Sequence, residues 1–176
     1  MTYLLTIDSG NTHVKWGLHD GSNWLEQGIF AQDKSILLQQ AWKNLPTPHD
    51  IIISNVSSIE TKKKLSKFLS CWKAKPRWIT PLKYQCGVRN YYADPSLLGS
   101  DRWAALIAAW NWQQRGCLIV DAGTAMTVDA LSDTGEFLGG IIVPGFELMK
   151  KALTTNIITL QNQEGEFSDF PNNTAN

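Results

Sequence analysis

The chain has 176 residues, enough to bury a real core in one domain or two small ones. Apolar residues make up 43% and charged residues 18%, as in ordinary globular proteins, and sixteen Lys+Arg balance sixteen Asp+Glu. That balance argues against the basic stripe of a nucleic-acid binder, and no apolar run is long enough to span a bilayer. Cys71, Cys86 and Cys117 are odd in number and lack C-x-x-C spacing, so neither a disulfide framework nor a zinc site is expected. The start, Met1-Thr2-Tyr3-Leu4-Leu5, lacks the basic and long apolar regions of a signal peptide. A reducing cytoplasm is the expected compartment. The eight Trp residues are scattered, which favours packing over an aromatic ligand cage.

In chain order, residues 3–8 read as a buried strand and 14–18 as its hairpin partner. Asp20-Gly21-Ser22-Asn23 is a turn, and Trp24 to Phe30 a third strand. A helix is expected over 33–44, ending before Pro46 and Pro48. The β-branched run Ile51-Ile52-Ile53-Ser54-Asn55-Val56 predicts a central strand, Glu60 to Trp72 an amphipathic helix, and Arg77-Trp78-Ile79 a short strand. The basic cluster Lys62-Lys63-Lys64 with Lys67 fits that helix's solvated face. Residues 81–99 are rich in turn formers and aromatics. A helix then starts at Ser100-Asp101-Arg102-Trp103, with Gly116 as its expected C-cap.

From Cys117 the opening topology restarts: a strand, a return strand over 126–131, a turn at Ser132-Asp133-Thr134-Gly135, a strand over 137–143, and a helix from Pro144-Gly145-Phe146 to about Leu153. The order predicts an α/β protein with mixed sheets and flanking helices. The restart predicts a duplicated domain, with a first domain over 1–115 and a second over 116–176. After Thr159 the chain turns polar and Asn-rich, so the second copy is expected to be incomplete.

The repeat extends to the chemistry. Asp8-Ser9-Gly10-Asn11-Thr12 and Asp121-Ala122-Gly123-Thr124 each follow an apolar strand. Gly10 is expected to allow close backbone approach and a positive φ, with backbone N–H groups freed for a ligand. Asn11 and Thr12 supply further donors, and Lys15 supplies a cation on the return strand. Such a set suits a nucleotide phosphate, with Asp8 able to hold Mg²⁺. One copy alone is also compatible with an ordinary hairpin and a surface lysine. Two copies, each directly after an apolar strand, make chance a poor explanation. The third element is Gly99-Ser100-Asp101-Arg102 at a helix start. It reads either as a first-turn charge pair or as a base (Asp101) that accepts a hydroxyl proton beside an anion clamp (Arg102).

The set Asp8-x-Gly10-Asn11-Thr12-x-x-Lys15, Gly99-x-Asp101-Arg102 and Asp121-x-Gly123-Thr124, followed by Gly139-Gly140-Ile141-Ile142-Val143-Pro144-Gly145, resembles the type III pantothenate kinases across residues 4–155. The resemblance implies the actin/Hsp70/sugar-kinase fold, built from two ribonuclease-H-like domains. It further implies ATP-dependent phosphorylation of pantothenate, the first step of coenzyme A synthesis, by a cytoplasmic homodimer using Mg²⁺ and a monovalent cation (K⁺ or NH₄⁺). By position, it makes Asp8, Ser9, Gly10, Asn11, Thr12, His13, Val14, Lys15 and Thr124 the ATP-binding residues and Asp101 the catalytic base. Tyr92, Gly99, Ser100, Asp101 and Arg102 would hold pantothenate, Tyr92 being preferred to Tyr91 by spacing, and Asp121 would ligate the monovalent cation. Family members carry further elements beyond this point, among them a substrate-contacting Thr from the partner subunit and part of the adenosine pocket. Two alternatives stand beside this reading: a non-catalytic family member acting as an accessory or regulatory protein, and another sugar-kinase-like phosphotransferase.

Overall fold

The computed structural model describes residues 2–157 and Asp169. The polar tail after Thr159, Asp169 apart, lies outside the described residues. The chain divides into two compact units. One holds Met1–Ile119 and Asp129–Gly139; the other holds Val120–Val128 and the chain from Gly140 onward.

The first sheet begins with β1 (Leu4–Ser9), β2 (His13–His19) and β3 (Trp24–Ala31). It is completed by β4 (Asp50–Asn55) and β5 (Pro76–Trp78), in the order β3-β2-β1-β4-β5. The hairpins make β1, β2 and β3 antiparallel, whereas β4 and β5 add in parallel. The sheet is therefore mixed, as the sequence predicts. The turn between β2 and β3 is closed by Asp20, whose Oδ1 accepts the N–H groups of Ser22 (2.8 Å) and Asn23 (2.7 Å).

Alternation along the strands decides the core. Leu5, Ile7, Val14, Trp16, Leu18, Ile51 and Ile53 face one way and are buried. Over them lie α1 (Leu37–Trp42), through Leu38 and Trp42, and α2 (Ile59–Leu69), through Leu65 and Leu69. The expected helix over 33–44 is shorter than its pattern: a 3₁₀ turn fills 32–34 and α1 starts at Leu37. The second helix follows its pattern closely. Ser58 caps it by accepting the Thr61 N–H (3.2 Å), and Lys63, Lys64 and Lys67 are exposed.

Residues 81–99 hold more than turns. They form β6 (Tyr84–Gln85), β7 (Val88–Asn90) and a 3₁₀ turn over Pro95–Leu97. The following helix, α3 (Ser100–Gln113), ends on Gln114 in the left-handed region (φ 46°) and not on Gly116. The Gly116 N–H instead donates to Asp133 Oδ1 (2.7 Å). Next come β8 (Cys117–Ala122), β9 (Ala125–Leu131), β10 (Glu136–Pro144) and α4 (Phe146–Asn156). The second sheet has the order β6-β7-β10-β9-β8, with β7 parallel to β10. Val88, Leu98, Trp103, Leu106, Leu131 and Phe137 form the first unit's other core, which packs α3 onto this sheet. In the second unit Ile141, Ile142, Phe146 and Leu153 are exposed. Among the described residues no helix is long and apolar enough to cross a membrane.

Candidate active site

The ends of β1 and β4 and the start of α3 meet in the first unit. In the β1–β2 hairpin Lys15 lies directly opposite Asp8, while Ser54 of β4 is Asp8's partner on the other side. Opposed residues share a sheet face, so Lys15, Asp8 and Ser54 form one row, on the face turned away from Ile7 and Ile53. The Ser54 and Ser100 hydroxyls share a hydrogen bond (3.0 Å), and the Asn55 N–H donates to Ser100 Oγ (3.0 Å). Ser100, expected as a substrate contact, thus uses its buried hydroxyl to dock α3 on the end of β4. Its neighbour Asp101 follows it in the first turn of α3.

The phosphate hairpin differs in detail from its reading. Gly10 does not have a positive φ, and its N–H donates within the turn, to His13 O (3.0 Å). Gly123 behaves alike, its N–H donating to Ala125 O (3.0 Å). A Cβ at either glycine would make only ordinary contact with the protein, at 3.4 Å from His13 O and 3.6 Å from Ala125 O. Neither glycine is required by the fold's own packing. Gly145 contrasts with them: a Cβ there would lie 2.0 Å from Gly123 O, so close packing demands the glycine. Val14 and Ser9 are wholly buried, so neither presents surface at the hairpin's end. Asn11, Thr12, His13 and Lys15 are exposed at the hairpin's end.

Gly99 is the N-cap of α3 and offers no side-chain cap. The first turn is met instead by its own acid, as Asp is favoured at the positive end of the helix dipole. Asp101 Oδ1 accepts the Arg102 backbone N–H (2.7 Å), and a Cβ at Gly99 would sit 2.5 Å from that same oxygen. The glycine is what leaves room for the carboxylate.

Arg102 is not an open clamp. It is 8% exposed, and its Nε donates to both Oδ1 (3.2 Å) and Oδ2 (3.0 Å) of Asp129, while Nη2 donates to Oδ1. This bidentate pair raises the guanidinium's pKa above its ordinary value, the hydrogen bond to Asp129 being the largest cause and burial opposing it. The Tyr92 ring packs against Phe137 with centroids 5.4 Å apart, and the Arg102 guanidinium lies over the same Phe137 ring at 5.8 Å. Tyr91 lies elsewhere: it is exposed and donates to Glu136 Oε1 (2.7 Å), which raises its pKa. The two tyrosines are thereby separated, with Tyr92 the one at Arg102.

Asp129 was not among the expected site residues, yet it had a signal. Thr127, Asp129 and Leu131 alternate on one face of β9, and Leu131 is core. An acid at a core-facing strand position implies a buried cation for it to pair with.

In the second unit, Asp121 and Thr124 are both exposed, and Thr124 O accepts the Gly145 N–H (3.0 Å). Among the described residues no cluster of three or more His, Cys, Asp or Glu could cage a metal. Asp8 and Asp121 each offer a single carboxylate, which fits a cation shared with phosphate oxygens and not one held by protein alone.

The sequence matches the family described as type III pantothenate kinase over residues 4–176. It is 59% identical over 172 residues to a type III pantothenate kinase of Nitrosospira multiformis, a match covering 98% of this chain and 66% of that protein. Among solved structures it resembles a putative Baf family transcriptional activator from Campylobacter jejuni (25% identity, TM-score 0.54, 97% of this chain and 69% of that one). It also resembles a putative 2-dehydro-3-deoxygalactonokinase from Sinorhizobium meliloti (13% identity, TM-score 0.54, 89% and 58%), which bears on fold alone. The hairpin, the α3 start and the second Asp-x-Gly-Thr turn all fall within the matched span, and the chain belongs to the type III pantothenate kinase family.

Proposed function

We propose that this chain provides the phosphate hairpin and catalytic helix start of a kinase that transfers the γ-phosphoryl group of ATP to the primary hydroxyl of pantothenate. The product is 4′-phosphopantothenate, at the entry to coenzyme A synthesis. The observation that carries the proposal is the docking of α3 on β4, in which Ser100, the neighbour of Asp101, bonds Ser54 of the row that also holds Asp8 and Lys15. Asp101 takes the proton of the attacking hydroxyl as its oxygen bonds to phosphorus and the bond to the leaving ADP breaks. A loose phosphoryl-transfer transition state asks little base strength of the carboxylate, so its placement matters most. Lys15 and the α3 start supply positive charge where negative charge collects on the transferred group.

Asp8 is proposed to hold Mg²⁺ and Asp121 the monovalent cation, K⁺ or NH₄⁺, each together with phosphate oxygens. Bound there, such cations neutralise phosphate charge. Thr124 is a phosphate contact, and Tyr92 with Gly99 to Arg102 holds pantothenate, the Arg102 donors left over by Asp129 meeting its carboxylate. Two ribonuclease-H-like domains parting near residue 116, a homodimer and a cytoplasmic location complete the proposal.

The test is formation of 4′-phosphopantothenate from ATP and pantothenate, with and without K⁺, by the wild-type chain and by Asp101→Ala. K⁺-dependent product is expected, with kcat reduced about 10²- to 10⁴-fold in the variant, the range for a lost general base. Absence of product from the wild type overturns the activity, and undiminished turnover by Asp101→Ala overturns that residue's role.

A further inference from the structure

Arg102 and Asp129 are among the few charged side chains the fold buries, at 8% and 1% exposure. Taking two charges out of water is costly, and an apolar pair of similar volume often serves stability as well or better. Retention of the pair therefore points to a task other than holding the core together. Its place suggests which: Arg102 is in the first turn of α3, directly after Asp101, and Asp129 reaches it from β9.

A guanidinium carries five N–H donors in a rigid plane. Asp129 engages Nε and Nη2. Those contacts fix the plane of the guanidinium, and with it the directions of the donors that remain. A residue that immobilises the Arg102 side chain thus sets an anion-binding fork, one residue along the helix from Asp101.

We infer that Asp129 is a positioning residue for substrate binding, acting through the Arg102 side chain from the core; this rests on the pantothenate kinase reading above. It touches neither substrate in this role. Its loss disturbs the pantothenate half of the site and leaves the phosphate hairpin, built by β1 and β2, as it was.

The experiment is steady-state kinetics of Asp129→Asn, which keeps the shape and loses the charge, with KM determined separately for pantothenate and ATP. The control is Leu106→Ala, which opens the same core on the same helix. Misplacement of a bound reactant is worth about 10²-fold. On that scale Asp129→Asn is expected to lower kcat/KM for pantothenate about 10- to 100-fold, with the KM for ATP within about twofold of wild type. Leu106→Ala, though less stable, keeps the wild-type KM for pantothenate. Asp129→Glu retains the charge one methylene out of place, stands in if Asp129→Asn does not fold, and is expected to show the same split. Equal effects on both substrates, or the same KM change in Leu106→Ala, overturn the inference by making Asp129 merely structural.

A second readout separates this inference from the activity it rests on. In ¹⁵N spectra the Arg102 Nε–H is expected to exchange slowly in the wild type. In Asp129→Asn it exchanges fast, and the Ser100 to Arg102 amides shift while those of 8–15 do not. If the wild type makes no 4′-phosphopantothenate, the proposed function falls, and these spectra decide on Asp129: unmoved Ser100 to Arg102 amides overturn its positioning role.

Discussion

The two Asp-x-Gly-x hairpins are written alike and supported differently. The first lies in the middle of a five-stranded sheet. β1 has β2 on one side and β4 on the other, its inward side chains are buried, and Asp8 sits between Lys15 and Ser54. The second stands at a sheet's end: β8 pairs only with β9 among the described strands, and Leu118 and Val120 are 69% and 58% exposed. At the place matching Lys15 the second copy has Val128. The same local sequence can thus lie in the middle of a sheet with a lysine opposite its aspartate, or at a sheet's end with an exposed carboxylate and hydroxyl. The neighbouring strand and one lysine make the difference, and the turn itself does not.

The largest expected effect tests the scaffold half of that contrast. Leu5 is fully buried under α1 and α2, so Leu5→Ala removes packing and leaves a cavity, at a cost of about 2–5 kcal/mol. Leu118→Ala, at the corresponding stretch of β8, is expected to change stability by no more than about 0.5 kcal/mol. Urea unfolding of the 176-residue chain with each substitution provides the comparison. A Leu118→Ala as costly as Leu5→Ala means that β8 is covered in solution, and the contrast between the two sheets fails.

The chemical half is tested by Lys15→Ala against Thr124→Ala. Hydrogen bonds to charged groups contribute about 1.5–3 kcal/mol, so loss of the Lys15 ammonium is expected to lower kcat/KM for ATP roughly 10- to 100-fold. Thr124 offers a neutral hydroxyl, worth about 0.5–1.5 kcal/mol, and its removal is expected to cost roughly tenfold or less. Equal losses would make the hairpins equal partners in holding phosphate. A larger loss at Thr124 would reverse their order.

Elements whose signal is local were legible in the sequence. The β1–β2 hairpin alternates cleanly, α2 combines a capping serine with a lysine face, and the α3 start is marked by Gly99-Ser100-Asp101. Three features depended on distant residues and were not. β7 is only Val88-Arg89-Asn90 among turn formers, and it becomes a strand because β10 pairs with it from far along the chain. Ser100 looks like a ligand contact until β4 is laid beside it, when its hydroxyl proves to be a docking bond. Arg102 looks like an open clamp until Asp129 reaches it. In each case a residue or strand distant in sequence, and not the local pattern, decides the structural role.

The finest distinction concerns why Gly10 is glycine at all. Its φ is not left-handed, and a Cβ would meet only His13 O at 3.4 Å, so the folded chain tolerates alanine there. Where the backbone is already in a conformation alanine adopts, replacing glycine stabilises by about 0.4–1 kcal/mol through the unfolded state. Gly10→Ala is therefore expected to leave Tm unchanged or slightly raised while increasing the KM for ATP severalfold, because the new methyl stands where the phosphate approaches. Gly123→Ala should show the same stability change with a smaller effect on KM, as suits the less supported hairpin. Thermal unfolding and ATP titration of both variants make the check. A drop in Tm without a change in KM would mean that Gly10 serves the fold and not the ligand, and the open front of the turn would lose its meaning.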